Sequence, residues 1–258
     1  MTTIYYPATT PAPQDRGVGE AVIDAPASGA PMAGAFPLVL LAHGYLLPGD
    51  GYERMMKAVA AHGYVVAAPE FPHTTGHGGD GLRADITNQP ADLSFVADRV
   101  IELGASGTVI PAVLDPGKVA IVGHSDGGLT ATAFGYGHQF RDRRVAAVVS
   151  LTGGVALFPG AFYADDDPPL LAAHARDDST NPYSASVNLF HAVPAGRARF
   201  LLSIDGGGHI DPYMFATGRF DLGDAIAAFL DLTVRGEPAA ADRLRDVGRR
   251  PGFTLEEG

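Results

Sequence analysis

The chain has 258 residues, 46% of them hydrophobic and 18% charged, which is a globular balance that excludes intrinsic disorder and suffices for one large domain. The formal net charge of -11 makes nucleic acid and anionic membrane surfaces poor partners, and the absence of cysteine excludes disulfides, thiolate catalysis and Cys-ligated zinc. No apolar stretch is long enough to span a bilayer and the N-terminus lacks the pattern of a signal peptide, so the expectation is a soluble protein, cytoplasmic or secreted after removal of a leader, without integral membrane association.

Taken in order, "EAVIDAP" reads as a lead-in strand and "FPLVLLAHG" as a continuous apolar strand. "YERMMKAVAAHG" has apolar residues at helical spacing before a terminating glycine, and "YVVAAPEF" is a strand again. A Gly/His-rich loop from Pro72 to Gly81 leads into the helical "QPADLSFVADRVIELG". Next come the strand "KVAIVG", the helix "DGGLTATAFGYG" and the strand "RVAAVVSLTGG". Strand "PLLAAHA", helix "YSASVNLFHAV", strand "ARFLLSIDG" and helix "DLGDAIAAFLDLTVRG" complete the alternation. Short all-apolar strands separated by helices require a mostly parallel central sheet covered on both faces, an α/β fold. Residues 1–236 are expected to form this single domain, with 237–258 a polar tail packed on it or extending from it.

Gly123-His124-Ser125-Asp126-Gly127 stands between a strand and a helix, where a nucleophile elbow belongs. The turn holds the serine in a strained conformation, and side chains at Gly123 or Gly127 would collide with the neighbouring helix and strand. A serine hydroxyl is a weak nucleophile and needs a base and an orienting acid. Asp177 and Asp178 lie beyond the strand "PLLAAHA", and His209 lies in the glycine-rich loop beyond "ARFLLSIDG", in the order serine, acid, histidine. The strand ending in His43-Gly44 places the N–H of Tyr45 where it can join that of Asp126 in an oxyanion hole.

Other residues admit weaker readings. His73, His77 and Asp80 have metal-ligand chemistry but no helix to fix their spacing, so ordinary loop histidines are expected, near the pocket. Consecutive Asp165, Asp166 and Asp167 lack the alternate spacing of a calcium loop. Asp126 suits a helix's first turn by its charge, and His124 is expected beneath the serine. The stretch "VALFPGAFYADDDP" is too short for a cap domain and reads as an apolar rim carrying Leu157, Phe158, Phe162 and Tyr163.

With "LLAHGY", "GHSDGG", "ARDDSTNP" and "GGGH" in that order, the chain from about Glu20 to Gly236 resembles the α/β-hydrolases. It looks most like single-domain esterases related to dienelactone hydrolases, chlorophyllase-like proteins, platelet-activating-factor acetylhydrolases and cutinase-like polyester hydrolases. The last group shares the glycine-tyrosine oxyanion strand and an acid followed four places later by proline, which favours Asp178, with Pro182, over Asp177. The chain lacks tryptophan, so the tryptophan that many polyester hydrolases place beside the scissile ester is missing.

The resemblance implies an α/β-hydrolase fold without a large cap and a serine carboxylesterase acting on hydrophobic or bulky esters, small or polymeric. Ser125, Asp178 and His209 are the expected catalytic residues, Tyr45 and Asp126 the oxyanion hole, and Gly44, His124, Phe158 and Phe162 the substrate contacts. No cofactor or metal is implied. The same scaffold serves non-catalytic ligand receptors, and the same triad serves lyases and perhydrolases. Nothing in the sequence sets the oligomeric state.

Overall fold

The computed structural model describes residues 1–9, 18–22, 29–107, 110, 112–113, 115–214 and 222–258. The strands are β1 (Thr2–Pro7), β2 (Val18–Val22), β3 (Ala35–Phe36), β4 (Leu38–Ala42), β5 (Val65–Pro69) and β6 (Ala112–Val113), followed by β7 (Val119–His124), β8 (Val145–Leu151), β9 (Leu170–Ala175), β10 (Arg199–Ile204) and β11 (Phe253–Glu257). The helices are α1 (Glu53–Ala61), α2 (Gln89–Ser106), α3 (Asp126–Tyr136), α4 (Ser184–Ala192), α5 (Gly223–Thr233) and α6 (Ala240–Gly248). Nine strands form one sheet in the order β11-β10-β9-β8-β7-β4-β5-β1-β2, while β3 and β6 pair separately.

From β10 through β5 the sheet is parallel; β11, β1 and β2 are antiparallel additions at its two edges. Alternating side chains of each strand enter opposite layers. Leu38 and Leu40 of β4, with Val119 and Ile121 of β7, pack in one core with α2, α3 and α4. Val39 and Leu41, with Ala120 and Val122, pack in the other with α1, α5 and α6. This two-sided burial explains why the strands read as largely apolar runs; the mostly parallel α/β sheet expected from them is the one observed, in the α/β-hydrolase architecture that the resemblance implied. Residues 152–169 join β8 to β9 without a helix, so no cap domain covers the site there. Among the described residues no helix is long and apolar enough to cross a membrane.

One segment differs from the sequence reading, and another takes one of the two forms expected of it. Thr2–Pro7, not anticipated as a strand, pairs antiparallel with β5. Of the two forms expected, packed on the domain or extending from it, the tail of residues 237–258 takes the packed one. Its helix α6 buries Ala240, Leu244 and Val247, and β11 completes the sheet edge against β10. Burial of a leucine such as Leu244 contributes about 1.5–3 kcal/mol, and the antiparallel ladder adds the backbone hydrogen bonds that fix β11.

Candidate active site

The site lies at the carboxyl ends of the parallel strands, where ligands of open α/β sheets gather. Ser125 directly follows β7 with φ 56° and ψ −120°, a conformation that costs a non-glycine residue about 1–3 kcal/mol and persists only when its surroundings enforce it. The surroundings do so through close packing. A Cβ on Gly123 would lie 1.9 Å from the Gly127 carbonyl oxygen, and one on Gly127 would lie 2.1 Å from that of Ala42. Strand, turn and α3 therefore press together only because both positions are glycine, and Ser125 N–H is secured to the Leu151 carbonyl at 2.9 Å.

His209, in the loop after β10, reaches this serine. Its Nε2 is 3.0 Å from Ser125 Oγ and its Nδ1 is 2.7 Å from Asp178 Oδ2. A carboxylate only accepts, so Nδ1 donates to it, and in the neutral tautomer this selects Nε2 can accept from the serine hydroxyl. Asp178 is buried beyond β9. Burial works against its charge, yet the bond from His209 and the Asn181 and Thr180 N–H groups hold its carboxyl below the usual carboxylate range. Asp177 turns elsewhere, its Oδ1 accepting from Gly208 N–H at 3.0 Å, so only the second aspartate faces the imidazole.

Tyr45 and Asp126 flank Ser125 on the β4 side and the α3 side. Among the described residues no acceptor pairs with either backbone N–H, whereas the neighbouring Gly44 N–H is taken by Tyr52 Oη at 3.1 Å. Position 126 begins α3, where N–H groups have no intrahelical partner and the helix dipole is positive. The Asp126 side chain is itself paired: Arg83 Nε and Nη2 reach its two oxygens at 2.7 and 2.6 Å.

Below the serine runs a chain of hydrogen bonds whose directions chemistry fixes. The carbonyl of His209 can only accept, so His124 Nε2 donates to it at 2.9 Å. His124 Nδ1 must then accept, and Tyr52 Oη donates to it at 2.8 Å while accepting from Gly44 N–H. Burial holds His124 neutral and drives its pKa down to about 3, with the neighbouring His209 adding to the shift. A second buried histidine, His174, has Nδ1 2.8 Å from Ser186 Oγ, while its Nε2 lies 3.2 Å from the Asn181 carbonyl oxygen and 3.3 Å from Asp178 Oδ2.

Beside the serine opens a cavity of about 580 Å³. Leu129, Val155, Leu157, Pro182 and Leu189 give it apolar walls, while Arg83, Asp126, Thr152 and Asn181 bring polar atoms to it. The four residues expected to contact substrate are distributed differently from that expectation. Gly44 does lie against Ser125, where an added Cβ would stand 3.2 Å from the serine's. His124 is fully buried in the chain just described. Phe158 turns inward with Ile86, Leu129 and Ala133, stacking edge-on against Phe140, and Phe162 packs against the same cluster. Leu157 and Tyr163 are the members of the expected rim that line the cavity. In the 72–81 loop, His73 pairs with Asp80, and His77 faces Glu70 and Asp50.

Tyr52, Arg83 and His174 escaped the sequence reading. Tyr52 looked like the start of a helix, His174 like one more residue of a strand, and Arg83 stood just beyond the loop singled out. None carried a local signal of its partner.

A family model described as chlorophyllase matches residues 21–157, more than half of the chain. The match takes in the end of β4 and the serine turn and stops before Asp178 and His209. Chlorophyllase-2 of Arabidopsis thaliana is 28% identical over 155 residues, which cover 54% of this chain and 46% of that protein. Chlorophyllase type 0 of Chenopodium album is 30% identical over 162 residues, covering 60% and 43%. The aligned stretch thus spans less than half the length of either relative. With β4, the Gly123–Gly127 turn and α3 all inside the matched region, the chain belongs to the chlorophyllase family.

Proposed function

We propose that the protein is a serine carboxylic-ester hydrolase working through an acyl-enzyme. One observation carries the reading: Ser125, His209 and Asp178 stand in a hydrogen-bonded line of 3.0 and 2.7 Å on a strained strand-to-helix turn. Membership of the chlorophyllase family supports ester chemistry.

In the proposed reaction Ser125 Oγ attacks the ester carbonyl as His209 Nε2 takes its proton, and Asp178 holds the imidazole in the tautomer that leaves Nε2 bare. The N–H groups of Tyr45 and Asp126 stabilise the developing oxyanion. The tetrahedral intermediate collapses, His209 passes the proton to the leaving alcohol, and Ser125 keeps the acyl group. Water, deprotonated by His209, then attacks the acyl-enzyme; collapse of the second intermediate returns the proton to Ser125 and releases the acid.

The open, mostly apolar cavity favours esters with a long or branched hydrophobic portion over small, fully polar metabolites. A panel of esters, amides, lactones and cyanohydrins tests the reading. Turnover confined to esters and lactones supports it; cyanohydrin cleavage would assign the triad to lyase chemistry. Binding of hydrophobic ligands with no turnover of any of them would make the protein a receptor.

A further inference from the structure

Asp126 poses an electrostatic problem. A carboxylate on the first residue of α3, attached to the backbone whose N–H is assigned to the oxyanion hole, opposes the negative charge that forms there. Its side chain is only 7% exposed, so water screens it poorly. The structure answers with Arg83, from the 3-10 turn Arg83–Thr87, which grips both carboxylate oxygens in a two-pronged pair.

The same short segment holds the other donor residue. The Arg83 guanidinium lies 5.5 Å from the centre of the Tyr45 ring, and Tyr45 Oη donates to the Gly81 carbonyl at 2.9 Å. Gly81 can make that approach because its φ is +76° and because a Cβ there would come within 3.3 Å of Tyr45 Oη. Three contacts from Gly81–Arg83 thus reach the two residues whose N–H groups face the reacting carbonyl, although this segment supplies none of the reacting atoms.

We propose that Gly81–Arg83 is a clasp that presets the oxyanion hole, and that Arg83 is a positioning residue which cancels the charge of Asp126. The proposal rests on the serine-hydrolase reading above. It makes the segment after the glycine-rich loop a determinant of turnover, since oxyanion stabilisation acts on the transition state and leaves ground-state binding nearly untouched.

The test measures kcat and KM separately for the full chain with p-nitrophenyl butyrate, alongside thermal unfolding of each variant. Arg83→Gln should lower kcat by about tenfold, less than the roughly 100- to 1000-fold lost with an oxyanion donor itself, while KM stays within about twofold. Arg83→Lys keeps the charge without the fork and should lose less. The double change Arg83→Gln/Asp126→Asn should regain most of the lost kcat, because no uncompensated carboxylate remains. An Arg83→Gln kcat equal to the parent's overturns the proposal; so does a double variant as slow as Arg83→Gln, which would reduce Arg83 to a loop anchor. If Arg83→Gln does not fold, the double variant and Arg83→Lys decide, and a folded double variant down about tenfold or more contradicts charge cancellation. Ser125→Ala run alongside keeps the failures apart. Turnover that survives it overturns the serine reading and the clasp together, whereas turnover lost there but untouched by Arg83→Gln overturns the clasp alone.

Discussion

His124 Nε2 donates to the backbone carbonyl of His209 across 2.9 Å, and the two imidazole rings stand 5.1 Å apart. The residue before Ser125 thus holds the loop that carries His209, and Tyr52 extends the hold to Gly44. Tyr52→Phe leaves His124 Nδ1 and Gly44 N–H without their partner in a buried setting, which costs about 1–3 kcal/mol. The melting temperature should fall, and kcat should drop several-fold with KM little changed, as steady-state kinetics on the folded fraction would show. A variant with parental kcat would reduce the chain to packing.

Acid should destabilise the fold through the same residue. His124 has its pKa depressed to about 3 when folded and near 6.5 when unfolded. Between those values the unfolded chain binds the extra proton, so stability falls as pH drops through that window, by up to about 1.4 kcal/mol per unit from this group. His174, also depressed by burial, acts in the same direction. Urea midpoints at pH 7.5 and 5 check the sign, and His124→Gln should flatten the slope.

The adjacent aspartates should separate sharply. Asp178→Asn favours the wrong imidazole tautomer, a change that costs serine proteases on the order of ten-thousand-fold in turnover. Asp177→Asn keeps an Oδ1 that can accept from Gly208 N–H and removes only the charge of an exposed side chain, so it should lose little. Parallel kcat/KM measurements decide, and the reverse ranking would move the orienting acid to Asp177.

Filling the cavity should change selectivity more than chemistry. Ala185 lines it and is none of Ser125, Asp178 and His209. Ala185→Trp should lower kcat/KM for long-chain p-nitrophenyl esters roughly tenfold relative to the acetate. Equal losses on both would show that the cavity does not hold the acyl chain.

What the sequence could show depended on how local the cause was. Strands β4, β7, β8, β9 and β10 were legible because burial on both faces leaves mostly apolar residues in them, broken by a few polar ones such as Ser150, His174 and Ser203. The serine turn was legible because close backbone packing demands glycine at both 123 and 127. The choice of Asp178 over Asp177 came from a resemblance, through the proline at 182. By contrast β11, "FTLEE", is exposed along much of its length and becomes a strand by pairing with β10. Tyr52 and His124 are far apart in the chain, as are Arg83 and Asp126, and no local pattern announces such pairs. Phe158 and Phe162 resembled a rim because hydrophobicity shows that a residue seeks apolar company without showing which side of a loop supplies it.

The central claim is a covalent acyl-serine, and the most direct measurement is pre-steady-state release of p-nitrophenol followed by acid quenching and peptide mass analysis. The account predicts a burst of about one equivalent of p-nitrophenol, an acyl adduct on the peptide containing Ser125, and neither signal in a folded Ser125→Ala variant. Turnover in that variant equal to the parent's, or an adduct on another residue in the parent, would contradict it.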